Sequence, residues 1–221
     1  MRLILLAVVS SLVFISCSGT TNQFLLEDYS VDRQDVSISV MTIESGFHFD
    51  DYPDYVFGAL RPEEQKIFND DLPRILAEKT GANVTGLVEP SAQVNNEFEL
   101  REFALSENSF ESITPKKGQP FETETNQTRF ILILDQYFFT PYTTEVGGDS
   151  YAGHESETEE RLRFESNYVI WDTDLNDAVA WGKVNTTEQI NFDNTRITYV
   201  NLLNKAVERI VAVSPFNGVK V

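Results

Sequence analysis

The residues best equipped for chemistry lie in GFHFDDYPDYVFG, residues 46–58, where His48 stands among Asp50, Asp51 and Asp54. Phe47, Phe49, Tyr52, Tyr55 and Phe57 surround them. A histidine near carboxylates can ligate a divalent cation or move protons near neutral pH. The spacing lacks the acidic ladder, central glycine and closing glutamate of a calcium loop. Three readings follow, in descending order of expectation. The aromatics pin an ordered loop to the core, or they anchor a protein partner, or the His–Asp group holds a metal or runs acid–base chemistry.

A second stretch, YFFTPYTTEVGGDSYAGHESETEE (137–160), sets aromatics against a glycine-bearing acidic loop centred on 144–160. Gly147-Gly148-Asp149 is not followed by the lysine of a phosphate-binding loop. His154 with Glu155 and Glu157 offers at most a weak cation site, and a solvated hairpin loop is the first expectation. Nucleophilic catalysis has little support, because no GxSxG elbow occurs and neither histidine has a triad context. Trp171 and Trp181 read as core rather than as a sugar platform. The expectation is therefore no catalytic residue, no metal site and no cofactor, with binding favoured over catalysis.

Composition narrows the partners. Asp plus Glu number 35 against 17 Lys plus Arg, a formal net charge of −18. Nucleic acid, whose phosphates need basic neutralisation, is excluded as an expected partner. A polybasic patch on anionic lipid is equally unsupported. The acids are spread along the chain, which reads as a solvated surface more readily than as a cation or basic-partner site.

The N-terminus carries the clearest signal. Met1-Arg2 precedes an apolar run from Leu3 to Ile15, broken only by Ser10 and Ser11. As a helix that run would rise about 20 Å, short of the roughly 30 Å hydrocarbon core. It reads as a secretory signal over residues 1–16 rather than a membrane span. Directly behind it stands Cys17, the only cysteine. A secreted domain with one cysteine cannot close an internal disulfide, so the thiol calls for another role.

FISC, Phe14–Cys17, resembles the lipobox of bacterial lipoproteins; Ser16 and Cys17 match it, and Phe14 stands where leucine is usual. The resemblance implies a diacylglyceryl group on the Cys17 sulfur, cleavage before it and acylation, commonly with palmitate, of the new amine. Ser18 in the next position implies sorting to the outer membrane, and a periplasm-facing location is preferred. The competing reading is ordinary cleavage near Ser16 or Ser18, which leaves the chain without a lipid.

These features must be positioned by a domain expected over residues 35–221, on a lipidated tether of residues 17–34 interrupted by Phe24-Leu25-Leu26. Alternation in DVSISVMTI (35–43) predicts a strand. RPEEQKIFNDDLPRILAEKTG predicts a helix starting near Pro62 and stopped by Gly81, with Pro73 kinking it or opening a shorter helix near Asn69. Short strands are expected at ANVTGLVEP and at NEFELREFAL (96–105), the latter with Phe98, Leu100 and Phe103 inward. Residues 106–127 read as an exposed loop. The five apolar residues Phe130–Leu134 predict an interior strand covered on both faces. RLRFESNYVIWD and AVAWGKVNTTEQI form a hairpin around the Asp-rich turn 172–177. A last helix is capped by Asp193 or Asn194, with Ile197, Val200, Leu203, Val207, Ile210 and Val211 on one stripe.

The predicted fold class is α+β, a mainly antiparallel sheet of about five or six strands with two helices packed on one face. The element order, and the pattern of an apolar strand, an Asp-containing turn and Val-Ala-Trp-Gly, is similar to periplasmic domains of envelope-assembly lipoproteins. Penicillin-binding-protein activators and the curli secretion lipoprotein are examples. The functional expectation is a lipid-anchored envelope protein acting as a binding or accessory subunit for another envelope protein. The aromatics of 46–58 are its preferred contact. The alternative is a periplasmic ligand-binding or hydrolytic protein acting on envelope molecules, and a concave pocket with convergent polar groups would favour it.

Overall fold

The computed structural model describes residues 22–31, 36–43, 62–88, 98–121, 128–147 and 157–217. Its centre is the strand grown from the apolar run 130–134. This strand, β6 (Phe130–Val146), buries alternate residues on opposite faces: Phe130, Leu132 and Leu134 in one cluster, Ile131 and Ile133 in another. A strand covered on both sides has no polar face to present, which is why its sequence is continuously apolar.

Around it the chain forms β1 (Gln23–Leu25), β2 (Ser37–Ile43), α1 (Pro62–Thr80), β3 (Asn83–Val88), β4 (Phe98–Ala104) and β5 (Ser109–Pro115). After β6 come β7 (Glu157–Asp172), β8 (Asp177–Gln189) and α2 (Thr195–Ala212). The main sheet has the order β1-β8-β7-β6-β2-β3. β2 runs parallel to both β3 and β6, whereas the other three pairings are antiparallel. α1 supplies the crossover that a parallel β2–β3 pair requires. The class is α+β, as the element pattern predicts.

α1 begins with Pro62, whose missing N–H costs nothing in a first turn, and passes through Pro73 as one helix. Gly81, at φ +68°, donates its N–H to the Ala77 carbonyl 2.8 Å away and closes the end. α2 buries Tyr199, Leu202, Leu203, Ala206, Val207 and Ile210. Ile197, expected on that stripe, is instead 45% exposed. Asn194 occupies the N-cap position but makes no side-chain cap bond; the Asn191 Oδ1 accepts the Asn194 N–H at 3.0 Å.

The opposite face is covered by β4 and β5, which among the described residues pair only with each other. Phe103 and Phe110 seat this hairpin on Met41, Ile131, Ile133, Val169 and Trp171. Two expectations are corrected here. Residues 109–115 are a strand, not an exposed loop, and Leu100 points outward at 47% exposure. The residues on β5 that face inward are Phe110, Ser112 and Thr114, and two hydroxyls among three give no apolar alternation to read.

Within the stretch expected as a tether, residues 23–25 add an edge strand to β8, and Phe24 stacks on Trp181 with ring centroids 4.4 Å apart.

Candidate functional site

An extra residue in β6 builds the site. Asp135 pairs with Asn167 and Phe138 with Glu165, so three steps on β6 oppose two on β7. Such a bulge reverses the side-chain alternation beyond it. Gln136 takes up the strain at φ +53°, in the left-handed region. Tyr137 and Phe139 thereby turn to the helix side, where Tyr137 stacks on Phe68 at 4.9 Å and Phe139 packs on Phe164 and Tyr199. Phe138 turns to the opposite side and lines a cleft.

This cleft has a volume of about 600 Å³ and lies where β1 begins against β8, with β7 and β6 beyond. Phe138, Glu165, Asn167, Lys183, Asn185 and Arg209 contribute to its walls. Its polar groups are largely bonded to one another. The Asn167 amide donates to Gln136 Oε1 at 3.1 Å, and the Asn185 amide donates to Glu165 Oε1 at 3.0 Å. Arg163 Nε lies 2.9 Å from the other Glu165 oxygen. Lys183 and Arg209 supply positive charge, with the Lys183 ammonium 5.8 Å from the Phe110 ring centroid. A preformed polar cleft of this size suits recognition of a polar ligand.

Gly182 fixes the cleft's rim. A Cβ there would sit 2.6 Å from the Asn22 carbonyl oxygen and 3.0 Å from Gln23 Cα, a clash with backbone that cannot move cheaply. The absent side chain lets the incoming chain lie against β8, where the Lys183 N–H donates to the Asn22 carbonyl at 2.8 Å. The Trp-Gly of Val-Ala-Trp-Gly is thus two devices, a ring for Phe24 and a gap for Asn22.

At the other end of β7, Asp172 is fully buried. Its Oδ1 accepts the N–H groups of Asp174 and Leu175 at 2.8 and 3.3 Å, and Tyr29 donates its hydroxyl to Oδ2. Arg129 stands 3.8 Å from the same oxygen. Burial first, and the Asp172 carboxylate second, push the Tyr29 phenol well above its ordinary range. This is a lock on the N-terminal segment rather than a reactive group.

Of the residues singled out in the sequence, Cys17, Phe47, Phe49, Tyr52, Tyr55 and Phe57 lie outside the described residues, as do His48 and His154. Much of the second stretch is strand: β6 runs to Val146 and β7 starts at Glu157, shortening the expected 144–160 loop. Trp171 is fully buried, and the half-buried Trp181 donates its indole N–H to the Ala104 carbonyl at 2.8 Å. Among the described residues no group of three or more His, Cys, Asp or Glu is placed to hold a metal ion. No described helix is long and apolar enough to cross a membrane. Sequence reasoning missed the cleft, because its residues come from five distant segments and its bulge falls at a glutamine.

No protein-family model and no curated protein matches the chain. Among solved structures it is similar to the PelC dodecamer from Paraburkholderia phytofirmans, at 12% identity and a TM-score of 0.36, covering 88% of this chain and 95% of that one. A minor lipoprotein from Acinetobacter baumannii gives 12% identity and 0.31, covering 79% and 92%. A homolog of neuraminyllactose-binding hemagglutinin from Helicobacter pylori gives 9% and 0.35, covering 86% of each. All three scores are below 0.5, so these likenesses assign neither family nor function.

Proposed function

We propose that the chain is a lipid-anchored envelope protein, facing the periplasm from the outer membrane, that binds another envelope component. The observation that carries this reading is the lone Cys17 placed directly behind the apolar run Leu3–Ile15. One acyl chain binds a bilayer marginally, whereas two or more hold firmly, so the full lipoprotein modification is an adequate anchor. A protein partner is the first occupant, with Phe47, Phe49, Tyr52, Tyr55 and Phe57 as its contact. The cleft supports a second reading, in which a polar envelope molecule is the ligand. Its side chains are paired in a way that favours recognition over acid–base or nucleophilic work.

Two measurements test the reading. Mass spectrometry of the N-terminal peptide should find lipid on Cys17, and Cys17→Ser should release the protein from membranes. Retention of that variant would sink the anchor. Crosslinking in intact cells should then recover one dominant envelope partner, lost when Tyr52 and Tyr55 are both changed to Ala. A partner unaffected by those changes would remove 46–58 as the contact.

A further inference from the structure

Five peptide links separate Cys17 from Asn22. Even fully extended they span at most about 18 Å. Asn22 itself is no frayed end: its carbonyl accepts the Lys183 N–H at 2.8 Å over the gap at Gly182. The next residue donates its Gln23 side-chain amide to the Arg209 carbonyl at 3.0 Å. The lipid on Cys17 would lie in the hydrocarbon, and the headgroup layer is roughly 5–7 Å thick. About 10 Å of link then remains between the headgroups and Asn22, close to one Debye length, ~8 Å at physiological salt.

Asn22 lines the cleft, so the cleft is held within reach of headgroup charge. Its charge, counted over the described residues, is the reverse of the molecule's. Among the described residues Lys183 and Arg209 line it, and the one carboxylate there, Glu165, is held between Arg163 Nε at 2.9 Å and the Asn185 amide at 3.0 Å. The molecule carries −18 overall, but charges farther than a Debye length from the surface are screened, which leaves the nearest cations to decide the contact. The link also raises the effective concentration of headgroups at the cleft to the millimolar range without any new contact.

We infer that the short link seats this cleft on the headgroup layer of the anchoring membrane, where Lys183 and Arg209 take the phosphate of an anionic phospholipid. This rests on the lipidation reading above.

The test uses the lipidated full chain in vesicles. Lipidation consumes the Cys17 thiol, so cysteines introduced singly by Ala212→Cys or Leu175→Cys can carry a fluorophore. Ala212 is exposed on α2 one turn beyond the cleft-lining Arg209, whereas Leu175 lies in the turn before β8, whose run from Asp177 to the cleft at Asn185 is about 26 Å. A headgroup-labelled lipid should quench the first and spare the second, more strongly with phosphatidylglycerol than with phosphatidylcholine alone. Lys183→Gln and Arg209→Gln should each reduce the phosphatidylglycerol preference about fivefold. A Gly/Ser insertion after Thr21 should abolish the quenching, and thermal melts would confirm that each variant folds. Equal quenching at both positions, or none at residue 212, on a protein shown by mass to carry its lipid overturns the seating and leaves the anchor standing. A Cys17 peptide without lipid overturns both.

Discussion

Tyr29 and Asp172 show how one hydrogen bond fastens a segment to a sheet. A fully buried carboxylate is costly unless its lone pairs are occupied, and Asp172 meets that demand with two turn N–H groups and the Tyr29 hydroxyl. Tyr29→Phe keeps the ring's packing but leaves Oδ2 one donor short. The expected cost is about 1–3 kcal/mol, read as a lower urea midpoint with an unchanged slope. The pH dependence follows from the raised phenol, pushed up by burial and by Asp172. Its contribution is complete below the ordinary tyrosine range near 10 and is lost as pH rises toward the folded value. The gap between wild type and variant should therefore be constant from neutrality to about pH 9 and narrow above it. A gap already closing at neutral pH would contradict the lock.

At the scale of elements, the β4–β5 hairpin has no backbone ladder to the main sheet among the described residues and is bolted on by side chains. Asp177, the first residue of β8, accepts from Arg101 Nη1 at 2.5 Å and meets Lys117 Nζ at 2.6 Å. Burial works to raise its carboxyl, but the hydrogen bonds to Lys117 and Arg101 outweigh it and hold the group below its ordinary value. Lys117 is 61% exposed and solvent screens it, so Arg101 carries most of the attachment. Asp177→Asn should cost about 1 kcal/mol near neutrality. A depressed carboxyl stabilises above its unfolded value of roughly 3.9 and loses that advantage as pH falls through the folded value. Denaturation at neutral and acid pH should show the difference shrinking as pH falls through and below the ordinary carboxylate range, and a gap that persists unchanged in acid would refute the attribution. The same elements mark what the sequence could reveal. Phe130–Leu134 announced a strand buried on both faces, and Pro62 and Gly81 marked the ends of α1. The hairpin's second arm stayed hidden because Ser112 and Thr114 face inward, and the cleft because nothing about Gln136 advertises a bulge.

For the whole molecule, the governing quantity is charge. The layered fold was legible because hydrophobic periodicity is a local signal, whereas the cleft's local charge, opposite in sign to the total, depends on which distant residues meet. Thirty-five acids against 17 bases leave −18, and several bases are already engaged. Arg74 and Arg196 both grip the buried Asp71, at 2.7 and 2.6 Å, and Lys79 pairs with Glu208 across the two helices. Added salt therefore acts in two directions. It weakens the exposed Lys79–Glu208 pair, worth about 0–1 kcal/mol, and the pairs on the buried Asp71 less. It also screens the repulsion among the uncompensated acids, shrinking the Debye length from ~10 Å at 0.1 M to ~3 Å at 1 M. With acids outnumbering bases about two to one, the second effect should win. The melting temperature should rise with sodium chloride, by about 2–4 °C for each kcal/mol of repulsion removed in a domain of this size. Potassium chloride should do the same, because the effect is one of ionic strength. A flat or falling melting temperature would mean that the internal pairs outweigh the surface field, and that the acids are arranged as partners rather than as a solvated surface.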